Sequence, residues 1–278
     1  MRISVHQLTT GPELSANAQT VEREIGKAAA AGAALACFPE AVNILRGEQS
    51  NLRHSIPSEP ECPVLARGRA AAAAHRIHVH LGSVLVRLPS GKLMNRSHLL
   101  GPSGATLATY DKIHLFDADL SDGSRPESEI FDSGGETAVV ETPLGRLGMT
   151  ICFDLRFSHL FIALAEAAAD IILVPSSFST VTGPVHWLPL LQARAIETGC
   201  YVIAAAQCGR HEPPLVTHGN SVAVSPWGEI LCQAGRRPSM LVFDADLSEV
   251  AEARRRIPTM ALRRPVRVRK VNAQPDVA

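Results

Sequence analysis

Strand-like and helix-like patterns of apolar residues alternate along the chain. Residues 2–8 read as a first strand, and residues 17–31 as a helix carrying Glu22, Arg23 and Lys27 on its polar side. Residues 33–38 are a short apolar run closed by Pro39, the pattern of a buried strand. Residues 63–75 predict a second helix, tightly packed where Ala70 to Ala74 run unbroken. A strand-rich middle follows. Segments 79–88 and 92–99 flank Pro89-Ser90-Gly91, segments 137–141 and 146–151 flank Pro143-Leu144-Gly145, and segments 222–224 and 229–231 flank Pro226-Trp227-Gly228. Each is a hairpin signal. The turn Gly101-Pro102-Ser103-Gly104 leads into a strand over 105–110. Helix 157–169, strand 171–174, helix 185–199, strand 200–206 and a last strand at 240–245 complete the pattern. Hairpins mixed with βα units predict an α/β (α+β) chain of mixed sheets covered by helices, not a purely parallel sheet.

Composition narrows the function classes. The 278 residues are 46% hydrophobic and 19% charged, which excludes a disordered chain. Lys plus Arg number 27 and so do Asp plus Glu, so no net charge draws the protein to nucleic acid or to a membrane surface. The most apolar stretch, 160–178, is broken by Glu166, Asp170 and Pro175, which suits a buried helix and strand rather than a membrane span. Six cysteines form no CxxC pair, and the first fifteen residues hold no apolar leader. The expectation is a cytoplasmic protein with free thiols. His75, His78 and His80 lie close in sequence, but no Cys or acid completes a metal set. No repeat or linker divides the chain, so 1–278 reads as a single domain. Residues 254–278 form a basic C-terminal tail, whose arginines run from Arg254 to Arg269 without an acid between them, and it either packs on a partner subunit or stays solvated.

Three residues at predicted strand ends carry candidate chemistry. Cys152 stands where an apolar strand ends and a helix starts. Backbone N–H groups at such a junction can meet a developing anion, and a helix N-terminus favours thiolate; the alternative is a buried structural thiol. Glu40 follows Phe38-Pro39 at the sheet rim, as a site acid or a helix cap. Lys112 follows the strand at 105–110, to hold an oxyanion or to snorkel to the surface. Together they supply a nucleophile, a base and an electrostatic clamp, the parts of acyl transfer.

The segments Phe38-Pro39-Glu40, Asp111-Lys112-Ile113-His114-Leu115 and Ile151-Cys152-Phe153-Asp154-Leu155-Arg156-Phe157 resemble, in this order, the signature segments of the nitrilase superfamily of carbon–nitrogen hydrolases. Pro175-Ser176-Ser177-Phe178, Gln192 to Glu197 and Pro226-Trp227-Gly228 extend the likeness over nearly the whole chain. Thr182 to Trp187 and Ala204 to His211 resemble the amidase branch that includes ω-amidase and the deaminated glutathione amidases.

The resemblance implies a four-layer α-β-β-α sandwich with two mixed β-sheets, pairing through outer helices into a homodimer or higher homo-oligomer. It implies a small linear amide as substrate, hydrolysed through a thioester without metal or cofactor. In that scheme Cys152 is the nucleophile, Glu40 the general base and acid, and Lys112 with the Phe153 N–H the oxyanion holder. Glu127 is auxiliary, with Glu129 the alternative two residues on. Asp154 and Arg156 are expected to orient the turn by pairing, and Arg194 with Glu197 to brace it. Substrate contacts are expected at Ser177, Phe178 and His186. Arg46, Arg125 and Arg210 are candidates for a distal carboxylate. Asn220, Ser177 and the loop Pro213-Pro214-Leu215 depart from the usual pattern, which leaves the substrate open. N-carbamoyl compounds, nitriles, and a catalytically inactive binding protein on the same fold are the alternatives.

Overall fold

A computed structural model describes residues 1–46, 52–118 and 126–271. Among them the chain forms β1 (Arg2–Gln7), α1 (Leu14–Ala30), β2 (Leu35–Cys37), α2 (Leu52–Ser55), α3 (Pro63–His75), β3 (His78–His80), β4 (Val84–Arg87), β5 (Leu93–Leu100) and β6 (Thr106–Asp111). It continues with β7 (Val139–Thr142), β8 (Gly145–Met149), α4 (Ser158–Glu166), β9 (Ile171–Leu173), α5 (Gly183–Thr198), β10 (Tyr201–Ala204), β11 (Cys208–Arg210) and β12 (Val216–His218). The last elements are β13 (Val222–Val224), β14 (Ile230–Gln233), β15 (Ser239–Asp244), α6 (Ser248–Arg256) and α7 (Thr259–Leu262).

Two mixed sheets result. The first has the order β15-β1-β2-β3-β5-β4 with β6 on β5, and the second the order β14-β13-β10-β9-β8-β7. Side chains alternate across each strand and so face two layers. In β2, Leu35 and Cys37 join Leu147, Met149 and Ile171 between the sheets, while Ala36 packs with Val21, Ile25 and Leu65 beneath α1 and α3. Leu160, Phe161, Leu164, Trp187 and Leu191 of α4 and α5 cover the second sheet. These layers are the α-β-β-α sandwich that the resemblance implies. Among the described residues no helix is long and apolar enough to cross a membrane.

The expected strand over 79–88 is two strands, broken at Leu81-Gly82-Ser83. Gly82 has φ +66°, and a Cβ there would lie 2.0 Å from the Pro39 carbonyl oxygen, so glycine is required. The break has a use. The Ser83 hydroxyl accepts from the Ala41 N–H at 2.9 Å, and its carbonyl accepts from the Val42 N–H at 2.9 Å, which fixes the segment carrying Glu40. The short β11–β12 pair was not visible as a pattern, because three-residue strands show almost no period.

The basic tail starts later than expected. Arg254, Arg255 and Arg256 close α6, where positive charge suits the helix C-terminus. Arg254 donates to the Ala169 carbonyl and to the Cys200 sulfur. Only from Arg263 does the chain run extended and exposed, to Val271.

Candidate active site

The site lies where the two sheets face each other beyond their strand ends. The first sheet supplies Glu40 after β2, Asn95 within β5 and Lys112 after β6. The second supplies Cys152 after β8 and Ser177 after β9. Glu40 is buried, and its Oε1 accepts from Asn95 Nδ2 at 2.9 Å and Lys112 Nζ at 3.0 Å. Its Oε2 accepts from the Ser177 N–H at 2.8 Å. All three donors are fixed by backbone or core, so the carboxylate is held rigidly.

Lys112 is 1% exposed and also donates to both oxygens of Glu127, at 3.0 and 2.8 Å. Glu127 sits on a 3-10 turn (Glu127–Glu129) and its Oε2 also accepts from the Phe116 N–H at 2.8 Å. Glu129 is exposed, so the alternative assignment falls to Glu127. Burial works against the ammonium. The carboxylates of Glu127 and Glu40 outweigh it and hold Lys112 well above the ordinary lysine range.

Cys152 opens a 3-10 turn (Cys152–Arg156), and α4 begins only at Ser158. The expected α-helix N-terminus is therefore not at the thiol. Cys152 has φ +48°, a left-handed conformation costing about 1–3 kcal/mol in a non-glycine residue. Its N–H donates to the Pro175 carbonyl at 2.8 Å. Burial, and then the Glu40 charge, push the thiol well above its ordinary range, against the pull of Lys112 and the Ser177 N–H. The site therefore holds the proton on sulfur more tightly than a free thiol does, and a base placed to take that proton favours attack. The Phe153 N–H lies in the first turn, where no intrahelical acceptor exists for it.

These groups line a cleft of about 740 Å³. Ser177 and Phe178 line it as expected. So does Arg156, which does not pair with Asp154. Its guanidinium donates to Thr182 Oγ1 at 3.2 Å, lies 3.0 Å from His186 Nδ1, and stacks over the rings of Phe153 and Phe178. Among the described residues no carboxylate pairs with it, and burial lowers its pKa. Asp154 instead accepts from Tyr110, His114 and the Ile151 N–H.

The other arginine candidates differ. Arg46 reaches the rim, but Glu212 holds it through bonds of 3.1 Å at Nε and Nη2, so it is already neutralised. Arg210 is exposed on β11 and lies outside the cleft lining. Arg125 falls outside the described residues. His186 is exposed and braces Arg156 rather than lining the cleft. Arg194 donates to the Leu155 carbonyl at 3.0 Å and to Glu197 at 2.9 Å, bracing the nucleophile turn. Sequence reasoning missed Asn95, which stands beside Arg96, Ser97 and His98 in β5, so the pattern of the strand does not single it out. Among the described residues no group of three His, Cys, Asp or Glu side chains could hold a metal ion.

The carbon–nitrogen hydrolase family matches residues 2–255. The human deaminated glutathione amidase is 37% identical over 95% of this chain and 82% of its own length. The enzyme of that name from Yersinia enterocolitica is 37% identical over 93% of this chain and 91% of its own length. Among solved structures, the C. elegans NitFhit protein superposes with a TM-score of 0.87 at 34% identity, over 95% of this chain and 65% of that longer one. A mutant amidase from Nesterenkonia sp. AN1 superposes with a TM-score of 0.79 at 26% identity, over 92% of this chain and 96% of its own. Its active-site cysteine carries the acetamide moiety of fluoroacetamide. By sequence, fold and site chemistry alike, this chain belongs to the carbon–nitrogen hydrolase family, as an enzyme that hydrolyses amides.

Proposed function

We propose that the protein hydrolyses a small linear amide whose acyl part carries a carboxylate, with deaminated glutathione the preferred substrate. The observation that carries this reading is Arg156, a cleft-lining guanidinium with no carboxylate partner among the described residues. A half-buried cation held by Thr182 and His186 is preorganised for an anion. The relatives named deaminated glutathione amidase support the choice of substrate.

In the proposed mechanism the Cys152 sulfur attacks the amide carbonyl while Glu40 takes the thiol proton. The C–N bond then breaks, and Glu40 returns that proton to the departing nitrogen, releasing ammonia and leaving a thioester. Glu40 next takes a proton from water, hydroxide attacks the thioester, and the acid leaves as the thiol is restored. Lys112 Nζ donates to Glu40 and, through two bonds, to both oxygens of Glu127, so in the proposed step one of the two Glu127 bonds passes to the oxyanion, which the Phe153 N–H also meets. Losing one such donor costs about 10²–10³ in kcat. Glu127 keeps Lys112 charged and aimed.

Ammonia release from four compounds tests the reading: deaminated glutathione, α-ketoglutaramate, N-carbamoyl-β-alanine and a simple nitrile, with a neutral amide of matched length as control. The highest kcat/KM is expected for deaminated glutathione. Equal efficiency on the neutral amide would overturn the carboxylate clamp.

The whole chain is read as one catalytic domain that assembles into a homodimer or higher homo-oligomer in the cytoplasm. Exposed apolar side chains support the assembly. Ile196 of α5 lies against Gly228, Arg256 stacks over the neighbouring Trp227 at 4.4 Å, and Ile257 is exposed. Beyond them Val266 and Val268 are 83% and 87% exposed in the extended tail. Light scattering behind size exclusion is expected to give at least a dimer mass, and a monomer would refute it. The six free thiols suit a reducing compartment.

A further inference from the structure

We infer that Asp154 is a positioning residue that ties the turn of the nucleophile to the loop of the oxyanion lysine across the two sheets. The inference rests on Cys152 and Lys112 acting as proposed above. Asp154 is fully buried and sits two residues beyond Cys152. On its own side, Oδ2 accepts from the Ile151 N–H at 2.8 Å, and its N–H donates to the Ile151 carbonyl at 3.1 Å. These bonds close the backbone on either side of Cys152, whose φ of +48° would otherwise relax.

The same carboxylate reaches the other sheet. Oδ2 accepts from the Tyr110 hydroxyl at 2.6 Å, and Oδ1 accepts from the His114 N–H at 3.1 Å and His114 Nδ1–H at 2.7 Å. Tyr110 in turn accepts from the Ile113 N–H at 3.2 Å. Lys112 stands between these residues in sequence. The bonds around it therefore converge on one carboxylate that also shapes the Cys152 turn. The His114 ring is stacked on Phe157 at 3.6 Å, which fixes its orientation toward Asp154. Four donors meet two oxygens, and no neutral side chain of this shape can accept from all of them.

Three variants test this: Asp154→Asn, Tyr110→Phe and His114→Ala, each measured for kcat, KM, melting temperature and the pH profile of Cys152 alkylation by iodoacetamide. Asp154→Asn turns an N–H group toward existing donors. It is expected to lower kcat about 10²-fold, as for a reacting group misplaced by 1 Å, with KM nearly unchanged and the alkylation profile displaced along the pH axis. Tyr110→Phe removes one bond to the Lys112 side only and is expected to cost about tenfold in kcat. Its effect should not add to that of Asp154→Asn, since both act through one tie. Should Asp154→Asn fail to fold, Tyr110→Phe and His114→Ala carry the test. Unchanged kcat in both, or an alkylation profile in folded Asp154→Asn that superimposes on wild type, would overturn the inference. A wild-type enzyme that keeps its activity after Cys152 is alkylated would instead refute the nucleophile assignment on which it rests.

Discussion

Replacing Glu40 by Gln should make the enzyme inert toward amides and its cysteine more reactive toward a small alkylating agent. In the native site the Glu40 charge is one of the causes that keep the thiol protonated, and Lys112 opposes it. For a unit charge acting at contact range, taken as about 4 Å with an effective dielectric of about 20, Coulomb's law gives about 4 kcal/mol, or nearly 10³ in the thiol–thiolate equilibrium. A thiolate stabilised in this way is also a weaker nucleophile. A Brønsted slope of about 0.4–0.5 removes roughly half of that logarithm, leaving about a thirtyfold faster reaction at neutral pH. The hydrogen bonds point the same way. The Gln carbonyl oxygen would face Asn95 and Lys112, its NH₂ would face Ser177, and the Ser177 N–H would be released toward the sulfur. The assay is the iodoacetamide rate at Cys152, followed by peptide mass from pH 6 to 10, beside ammonia release by the same preparation. Slower alkylation in Glu40→Gln, or a rate equal to wild type, would show that Glu40 does not hold the resting thiol neutral.

Other outcomes follow from the same contacts. Cys152→Ala should abolish ammonia release while leaving the melting temperature unchanged in differential scanning fluorimetry, since one small side chain is lost at the cleft wall; residual turnover above a tenth would show a different nucleophile. Arg156→Gln should raise KM for the carboxylated amide about 10–100-fold, the worth of a charge-assisted bond, and leave the matched neutral amide nearly unaffected; equal losses on both would refute the clamp. Burial lowers the His98 pKa to about 4 and that of His80 to about 3. The unfolded chain therefore takes up protons first as pH falls below about 6.5, and by pH 5 each group should cost about 2 kcal/mol of stability. The melting temperature should drop between pH 7 and 5, before most carboxylates titrate, and a flat curve over that interval would contradict the burial of these rings.

The polar ends of apolar strands were the most legible part of the sequence. Glu40, Lys112 and Cys152 each follow a strand whose pattern is clear, and strand ends face each other once the sheets pack. Hairpins marked by Pro and Gly were equally plain, because turn chemistry is local. What depends on a distant partner was not legible. Proximity in sequence pairs Arg156 with Asp154, yet the turn directs its guanidinium to Thr182 and His186 farther along the chain. Arg46 looked available until Glu212, far along the chain, arrived beside it. Arg254 looked like tail because charge alone does not reveal a helix whose acids, Glu249 and Glu252, lie just upstream.

The first strand of the chain takes its outer neighbour from the far end. Arg2 pairs with Asp244 and Gln7 with Ser239, so β1 lies between β2 and β15. During synthesis β1 and β2 emerge early and can pair at once, but the other edge of β1 stays open until residues 239–244 have been made. An uncovered strand edge is a template for pairing with other chains. A product cut short before residue 239 would keep Glu40, Lys112 and Cys152 yet present that edge permanently. Such truncated chains should be recovered in aggregates rather than as slow enzymes, so the pairing of β15 with β1 decides whether the assembled site stays usable.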